Sequence, residues 1–260
     1  MADPFDGIEA KIDRAGEHID ALYGEIREWA KGDPYTVEAE PKGQSTHHRL
    51  YVRLHEVPDV RRWGLLFGDA VHNLRSALDH LVYAGAIRVS GQDPPPDFNV
   101  LQFVIADDEP RWASGLYHLK VPPLSEEMRT FVKSVQPYEA SGVDRVQYDF
   151  LRWLRDLDDA DKHRAIRPVF IVPAAVEAFV RCITSGSATF HMPLVPIEDE
   201  ATLMTVSGEA VTEVEDDIKV ALAIGVEIIP QAPTSVDAAL DQMFQRVVGV
   251  TQQFRDRFLS

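Results

Sequence analysis

The chain has 260 residues, 45% of them hydrophobic, which is enough to bury one large core or two small ones. The net charge is −16, from 26 basic and 42 acidic residues, so the surface as a whole repels nucleic-acid phosphates and anionic lipids unless a local basic patch overrides it. The single cysteine, Cys182, excludes an intramolecular disulfide and indicates a reducing, cytoplasmic location. We expect no membrane association, because neither a secretory signal nor a run of about 18 apolar residues is visible.

The N-terminal segment predicts a helix followed by a β-hairpin. Apolar residues from Ile8 to Trp29 recur at alternating spacings of four and three, which is typical of a helix that packs on other helices. The turn-forming residues Gly32-Asp33-Pro34 end it. Two alternating runs, 35–40 and 48–55, are separated by polar, turn-prone residues and predict a hairpin inserted at 34–57.

The central helix is predicted over 60–90, and its side chains sort into two arcs. One arc is apolar and predicts a core face. The other, which we call the polar arc, is made of Asp69, His72, Asn73, Arg75, Ser76, Asp79 and His80. Asp, Asn and Ser compete with the helix backbone for hydrogen bonds, so a solvated face normally carries longer side chains. The polar arc therefore predicts a surface that faces another polar group.

Shorter elements follow the central helix. The apolar run 101–105 predicts a short buried strand or an apolar plug, and two short helices are predicted over 109–118 and 125–135. A third long helix is predicted over 144–163. Its end, 158–164, carries short acids, basic groups and a histidine, as the polar arc does. We therefore expect the polar arc to face this end.

The hydrophobic period then changes from helical to alternating. Strands are predicted over 166–172, 176–183, 188–192, 202–206 and 217–229, and a last helix follows from about 234. We predict an α+β fold: an antiparallel helical bundle of four long helices, with an inserted β-hairpin and a small antiparallel sheet before the last helix. The predicted segments are a bundle with its hairpin (1–165), a β segment (166–232) and a C-terminal helix that packs back on the bundle (233–260), within one integrated domain.

No strong catalytic motif is present, since the chain has no P-loop, Gly-x-Ser-x-Gly, His-Glu-x-x-His or Cys-x-x-Cys. It does carry Gly-Asp-Ala-Val-His-Asn-Leu-Arg-Ser-Ala-Leu-Asp-His over 68–80 and Asp-Lys-His-Arg over 161–164. With these two motifs the chain resembles a family of uncharacterised bacterial proteins of actinobacterial type. The resemblance spans most of the chain, and it implies a bacterial cytosolic protein without indicating an activity.

Arg75 and His80 are separated by four residues on a helix of the predicted bundle. This arrangement resembles the signature of the HEPN superfamily, helical-bundle proteins many of which cut RNA without a metal. The resemblance implies a metal-independent ribonuclease or nucleotide-binding protein that needs no cofactor. Arg75 would polarise the phosphate and His80 would act as general acid or base. The supporting residues would be His72, Asn73, Asp79, Asp161, His163 and Arg164. Because such sites are usually built from two bundles, it also implies a homodimer.

Two alternatives stay open beside this interpretation. The first is a metal site in which His72, Asp79 and Asp161 supply ligands from facing helices, as helical bundles often do. The second is a non-enzymatic structural or binding module. There, Asp79 and Asp161 would pair with Arg75 or Arg164 in a buried ion-pair network, and the histidines would bond to their neighbours.

Overall fold

A computed structural model of the chain describes residues 5–41, 47–114, 124–139, 145–163, 166, 168–171, 189–191, 195–207, 223–226 and 234–259. The α-helices of this part are α1 (Asp6–Ala30), α2 (Val60–Ser90), α3 (Glu109–Ala113), α4 (Glu126–Ser134), α5 (Arg145–His163) and α6 (Val236–Phe254). The strands are β1 (Tyr35–Pro41), β2 (His47–Leu54), β3 (Pro168–Ile171), β4 (Thr189–His191), β5 (Val195–Pro196), β6 (Thr202–Ser207), β7 (Ala223–Val226) and β8 (Thr234–Ser235). The fold is α+β, as predicted. None of the described helices combines the length and apolar character that crossing a membrane requires.

The structure divides into two compact units. The helical unit comprises Met1–Ala21, Leu66–Ala165 and Ala238–Ser260, and the β unit comprises Leu22–Leu65 and Ile166–Asp237. The hairpin of β1 and β2 belongs to the β unit because β2 pairs with β6. The sequence pattern predicts the same hairpin as an insertion in the segment 1–165. Of the other predicted strands, 176–183 and most of 217–229 lie outside the described residues.

The described residues of the β unit form two four-stranded sheets, in the orders β1-β2-β6-β4 and β5-β3-β7-β8, and each adjacent pair is antiparallel. Residue alternation explains the hairpin. Val37 and Val52 lie opposite each other and are buried, whereas the next pair, Glu38 and Tyr51, is joined by a side-chain hydrogen bond of 2.6 Å. The hairpin predicted from the alternating runs is confirmed.

The helical unit is built around the apolar arc of α2. Phe67, Leu74, Leu78 and Leu81 are fully or almost fully buried, as the predicted core face requires. A Cβ at Gly85 would lie 2.7 Å from Leu124, 3.1 Å from Phe254 of α6 and 3.5 Å from Met128 of α4. Burying the apolar arc leaves the polar arc on the opposite side of α2.

Candidate functional site

Arg75 and Asp79 bind the two backbone polar groups of one residue, Phe103. The Arg75 side chain is 6% exposed, and its Nη2 donates a hydrogen bond to the carbonyl oxygen of Phe103 at 2.6 Å. The Phe103 backbone N–H donates to Oδ1 of Asp79 at 2.8 Å, and the same Oδ1 lies 3.1 Å from Nη1 of Arg75. Arg75 and Asp79 are one helical turn apart, so both reach the same point. We call these three residues the Phe103 clamp.

The clamp is part of a wider set of bonds that fixes the extended segment, residues 101–106. Gln136 is fully buried; its Oε1 accepts from the Ala106 N–H at 2.7 Å and its Nε2 donates to the Val104 carbonyl at 2.8 Å. Arg155 Nη1 donates to the Ile105 carbonyl at 3.3 Å. The segment is not part of a sheet, and its buried side chains make it an apolar plug, one of the two predicted outcomes.

Burial dominates the electrostatics of Asp79. It raises the pKa of the Asp79 carboxyl above its ordinary value, and the nearby carboxylate of Asp158 adds to that effect. The positive charge of Arg75 and the hydrogen bond from Phe103 lower the pKa in part. Arg75 therefore offsets part of the free energy that burial of the ionised carboxylate costs.

His72 and α5 form the second contact of the polar arc. Nδ1 of His72 lies 3.0 Å from Oδ1 of Asp158, and Nζ of Lys162 lies 2.6 Å from Oδ2 of the same carboxylate. The Asp158 side chain is 3% exposed, whereas the His72 ring is 57% exposed. The expectation that the polar arc faces the end of α5 holds for His72, whereas Arg75 and Asp79 bond to Phe103 instead. His163 is exposed at that end, and Arg164 lies outside the described residues.

Asp161 approaches α2 one helical turn below His72. Its carboxylate occupies the space that a side chain at position 68 would take, which Gly68 leaves open. Burial raises the pKa of Asp161 above its ordinary value, and the charges of Asp69 and Asp158 raise it further. His72 acts in the opposite direction. Carboxylates therefore crowd together where α2 meets α5.

The opposite side of the polar arc meets α1. Lys11 Nζ donates to Asn73 Oδ1 at 3.4 Å, and a Cβ at Gly7 would lie 2.8 Å from Nδ1 of His80. Burial and then the charge of Lys11 lower the pKa of His80, with Asp79 opposing them. His80 is therefore a neutral imidazole at pH 7. The polar arc thus lies between α1 on one side and α5 on the other.

The structure brings some of the predicted site residues together and separates others. Arg75 contacts the extended segment, whereas His80 contacts α1, because five residues correspond to about 140° around a helix. His72 and Asp161 are electrostatic neighbours, but Asp79 is bonded within the Phe103 clamp. Across the described ranges, no group of three or more His, Cys, Asp or Glu side chains could hold a metal ion.

Sequence reasoning missed Gln136 and Asp158. Gln136 follows Val132 by four residues, so it continues the buried stripe of α4, and a polar residue at such a position was the available signal. Asp158 lies within the stretch 158–164 that we singled out, but no sequence feature distinguished it from its two acidic neighbours. Comparison with protein-family models, curated proteins and solved structures found no match to this chain.

Proposed function

We propose that this protein is a binding module whose recognition surface is the polar arc of α2. The observation that carries the proposal is the engagement of Arg75. Its side chain is buried, and its guanidinium contacts Asp79 and Phe103. A guanidinium that is bonded to Asp79 and to the Phe103 carbonyl positions this backbone, and its charge is not available to a phosphate. Asp79 and Arg75 then form the buried ion pair of the structural alternative, although they anchor the extended segment and not a second helix.

The walls of the surface support a binding role. On one side α5 contributes Asp158 and Asp161, and on the other α1 contributes Lys11. Between them, Ser76 and His80 of the polar arc are half-buried and accessible. Polar groups held on well-packed helices are preorganised, which lowers the entropy lost on binding a ligand.

The charges at this surface favour a ligand that is uncharged or cationic. Asp69 and Asp161 lie near each other beside His72, and Asp69 is well exposed. Lys162 is already paired with Asp158. An anionic ligand would therefore meet two carboxylates whose charges are not matched by Lys162. The net charge of −16 acts in the same direction at long range.

The four long helices, in the same proposal, pack as one antiparallel bundle in a bacterial cytoplasmic protein. Contacts between α1 and α2 support this arrangement. Gly7, the earlier residue of α1, lies beside His80, and Lys11, the later one, bonds to Asn73, so the two helices run in opposite directions. We expect Gly85→Ala to lower the free energy of unfolding, because the added methyl group meets packed core side chains. Gly249→Ala is the matched control in α6; it meets no atom within 4 Å and should raise stability by about 1 kcal/mol.

The test of the binding role is a thermal-shift titration with compounds grouped by charge. Spermidine and choline represent cations, and a short RNA oligonucleotide represents anions. We expect a saturable rise in the unfolding midpoint with cationic compounds, reduced in Asp69→Asn and retained in the control Asp20→Asn, which changes an exposed carboxylate of α1. A rise with RNA alone, or equal responses of the two variants, would contradict the proposed recognition surface.

Metal-independent RNA cleavage by Arg75 and His80 is the second candidate. One observation favours it: His80 is half-buried with a lowered pKa, and a neutral imidazole can accept a proton. Because Arg75 and His80 point apart in one chain, this candidate needs a homodimer that brings the two residues together. Labelled RNA cut in the presence of chelator, with the cutting lost in His80→Ala, would support it. A monomer mass by light scattering would exclude it, and stoichiometric metal in elemental analysis would favour the metal-site alternative.

A further inference from the structure

The contact between His72 and Asp158 has the geometry of an oriented proton acceptor. Asp158 is a buried carboxylate that also contacts Lys162, so it can only accept a hydrogen bond from the ring. The hydrogen of neutral His72 is therefore on Nδ1, and the lone pair is on Nε2. The ring is 57% exposed, which leaves Nε2 accessible to a bound molecule. A carboxylate behind a histidine selects the tautomer in the same way in hydrolytic enzymes.

We propose that His72 is the general base of a hydrolytic site on the polar arc, with an uncharged or cationic ester or amide as substrate. Asp158 is the positioning residue of this site. The inference goes beyond the binding role, since it assigns a reaction to the surface for which only recognition was proposed above. It uses neither Arg75 nor His80 and needs no metal.

The reaction consumes one water molecule and balances without a further reagent. Nε2 of His72 removes a proton from water as the water oxygen forms a bond to the carbonyl carbon. The resulting imidazolium returns that proton to the leaving oxygen or nitrogen, and the bond from the carbonyl carbon to the leaving group breaks. The products are a carboxylic acid and an alcohol or amine. Asp158 stabilises the transient positive charge on the ring.

The surroundings of His72 decide the charge of the substrate. Asp69 lies three residues before His72 on α2, and Asp161 faces the same part of α2 from α5. An anionic phosphodiester approaching Nε2 would be repelled by both carboxylates, whereas a neutral acyl group is not. The carboxylate product would be repelled in turn, which favours its release.

The purely structural reading of the same contact is that it ties α2 to α5. The two readings differ in what His72→Gln changes. Glutamine can still bond to Asp158 but cannot act as a base, so a structural role predicts unchanged stability and no kinetic effect. A catalytic role predicts the loss of a measurable rate. Each variant is therefore compared by its unfolding midpoint and by its rate.

The experiment uses the full chain with two chromogenic probes, uncharged p-nitrophenyl acetate and anionic bis(p-nitrophenyl) phosphate. We expect saturable hydrolysis of the acetate and none of the phosphate. His72→Gln should lower kcat by about 100-fold, the lower end of what general-base catalysis contributes. The matched control His55→Gln removes an exposed histidine that lies outside the polar arc and should keep the wild-type rate. Asp158→Asn should lower kcat with little change in KM.

Because Asp158 is buried, the Asp158→Asn variant could fail to fold. A second measurement therefore uses the wild-type protein alone. Nitrogen-15 NMR of the wild-type imidazole should show the hydrogen of neutral His72 on Nδ1. A hydrogen on Nε2, a rate that rises linearly with p-nitrophenyl acetate, or equal losses in His72→Gln and His55→Gln would overturn the inference. Saturable binding of cations in the thermal-shift titration, with no saturable hydrolysis, would overturn it as well and leave the binding module intact.

Discussion

The extended segment 101–106 and the β1–β2 hairpin obtain their backbone hydrogen-bond partners in different ways. In the hairpin, backbone groups pair with backbone groups in a continuous register from Tyr35 opposite Leu54 to Pro41 opposite His48. In the extended segment, the side chains of Arg75, Asp79 and Gln136, together with Arg155, bond to the backbone. The hairpin therefore depends on its neighbouring strand, and the extended segment depends on individual polar residues distributed along the chain.

This difference explains part of the polar arc. A buried backbone N–H or C=O without a partner is costly, so a segment with no neighbouring strand must obtain partners elsewhere. Arg75 and Asp79 supply two of them. Polar residues on a helix face thus serve as hydrogen-bond partners for a nearby backbone as well as for a ligand. Of the polar arc, His72 and Asp69 remain exposed and available to a ligand.

The largest expected effect is that of breaking the Phe103 clamp. Arg75→Leu leaves the Asp79 carboxylate without its cation and the Phe103 carbonyl without its donor. We expect the free energy of unfolding to fall by about 3 kcal/mol, the lower end for a half-complete buried ion pair, because the Asp79 side chain is 32% exposed. Urea unfolding followed by circular dichroism measures it.

The control for this prediction is Arg14→Leu. Arg14 pairs with Glu17 at 2.6 Å, but both side chains are more than half exposed, so the loss should stay below about 1 kcal/mol. In the double variant Arg75→Leu, Asp79→Leu, the uncompensated charge is gone, and stability should partly recover. Equal losses in Arg75→Leu and Arg14→Leu would show that the clamp does not stabilise the fold.

The sequence predicted regular elements well and individual partners poorly. The bounds of α2 match the prediction because Pro58 and the end of the apolar stripe mark them locally. The hairpin was predicted because its alternation faces a core. The extended segment shows the limit: an apolar run indicates extension and burial, but its hydrogen-bond partners lie 24 to 50 residues away along the chain. Arg75 and His80 were paired by spacing alone, and their different neighbours could not be read from one helix.

A smaller effect is expected from Gln136→Leu. The change removes the acceptor for the Ala106 N–H and the donor to the Val104 carbonyl, both of which are buried. Leaving such groups unpaired should cost about 2–3 kcal/mol. Hydrogen exchange should accelerate at the Ala106 amide more than at Phe103, which Asp79 still holds.

Tyr51→Phe in the hairpin is the matched comparison for Gln136→Leu. It removes the 2.6 Å hydrogen bond to Glu38 but leaves the backbone pairing of β1 with β2 intact. We expect a loss of about 1 kcal/mol or less, because Glu38 can turn to water. If the loss in Tyr51→Phe matched that in Gln136→Leu, the contrast between the two regions would not hold.

The smallest effect is expected at Asp161, a carboxylate of α5 that faces α2. We compare it with Asp79, which lies on α2 itself. Burial raises the pKa of both, but Asp79 is compensated by Arg75 and the Phe103 N–H, whereas Asp161 faces Asp69 and Asp158. A raised pKa means that the folded state binds the proton more tightly than the unfolded chain, so the ionised group destabilises the fold above that pKa. Asp161→Asn should therefore stabilise the protein at pH 7, by less than about 1 kcal/mol because solvent screens a partly exposed group. As the pH falls through the raised pKa of Asp161 towards that of an unfolded aspartate, the wild type regains this stability and the two unfolding curves should converge. An Asp161→Asn difference that grows on acidification would contradict the assignment of Asp161 to a site crowded by other carboxylates.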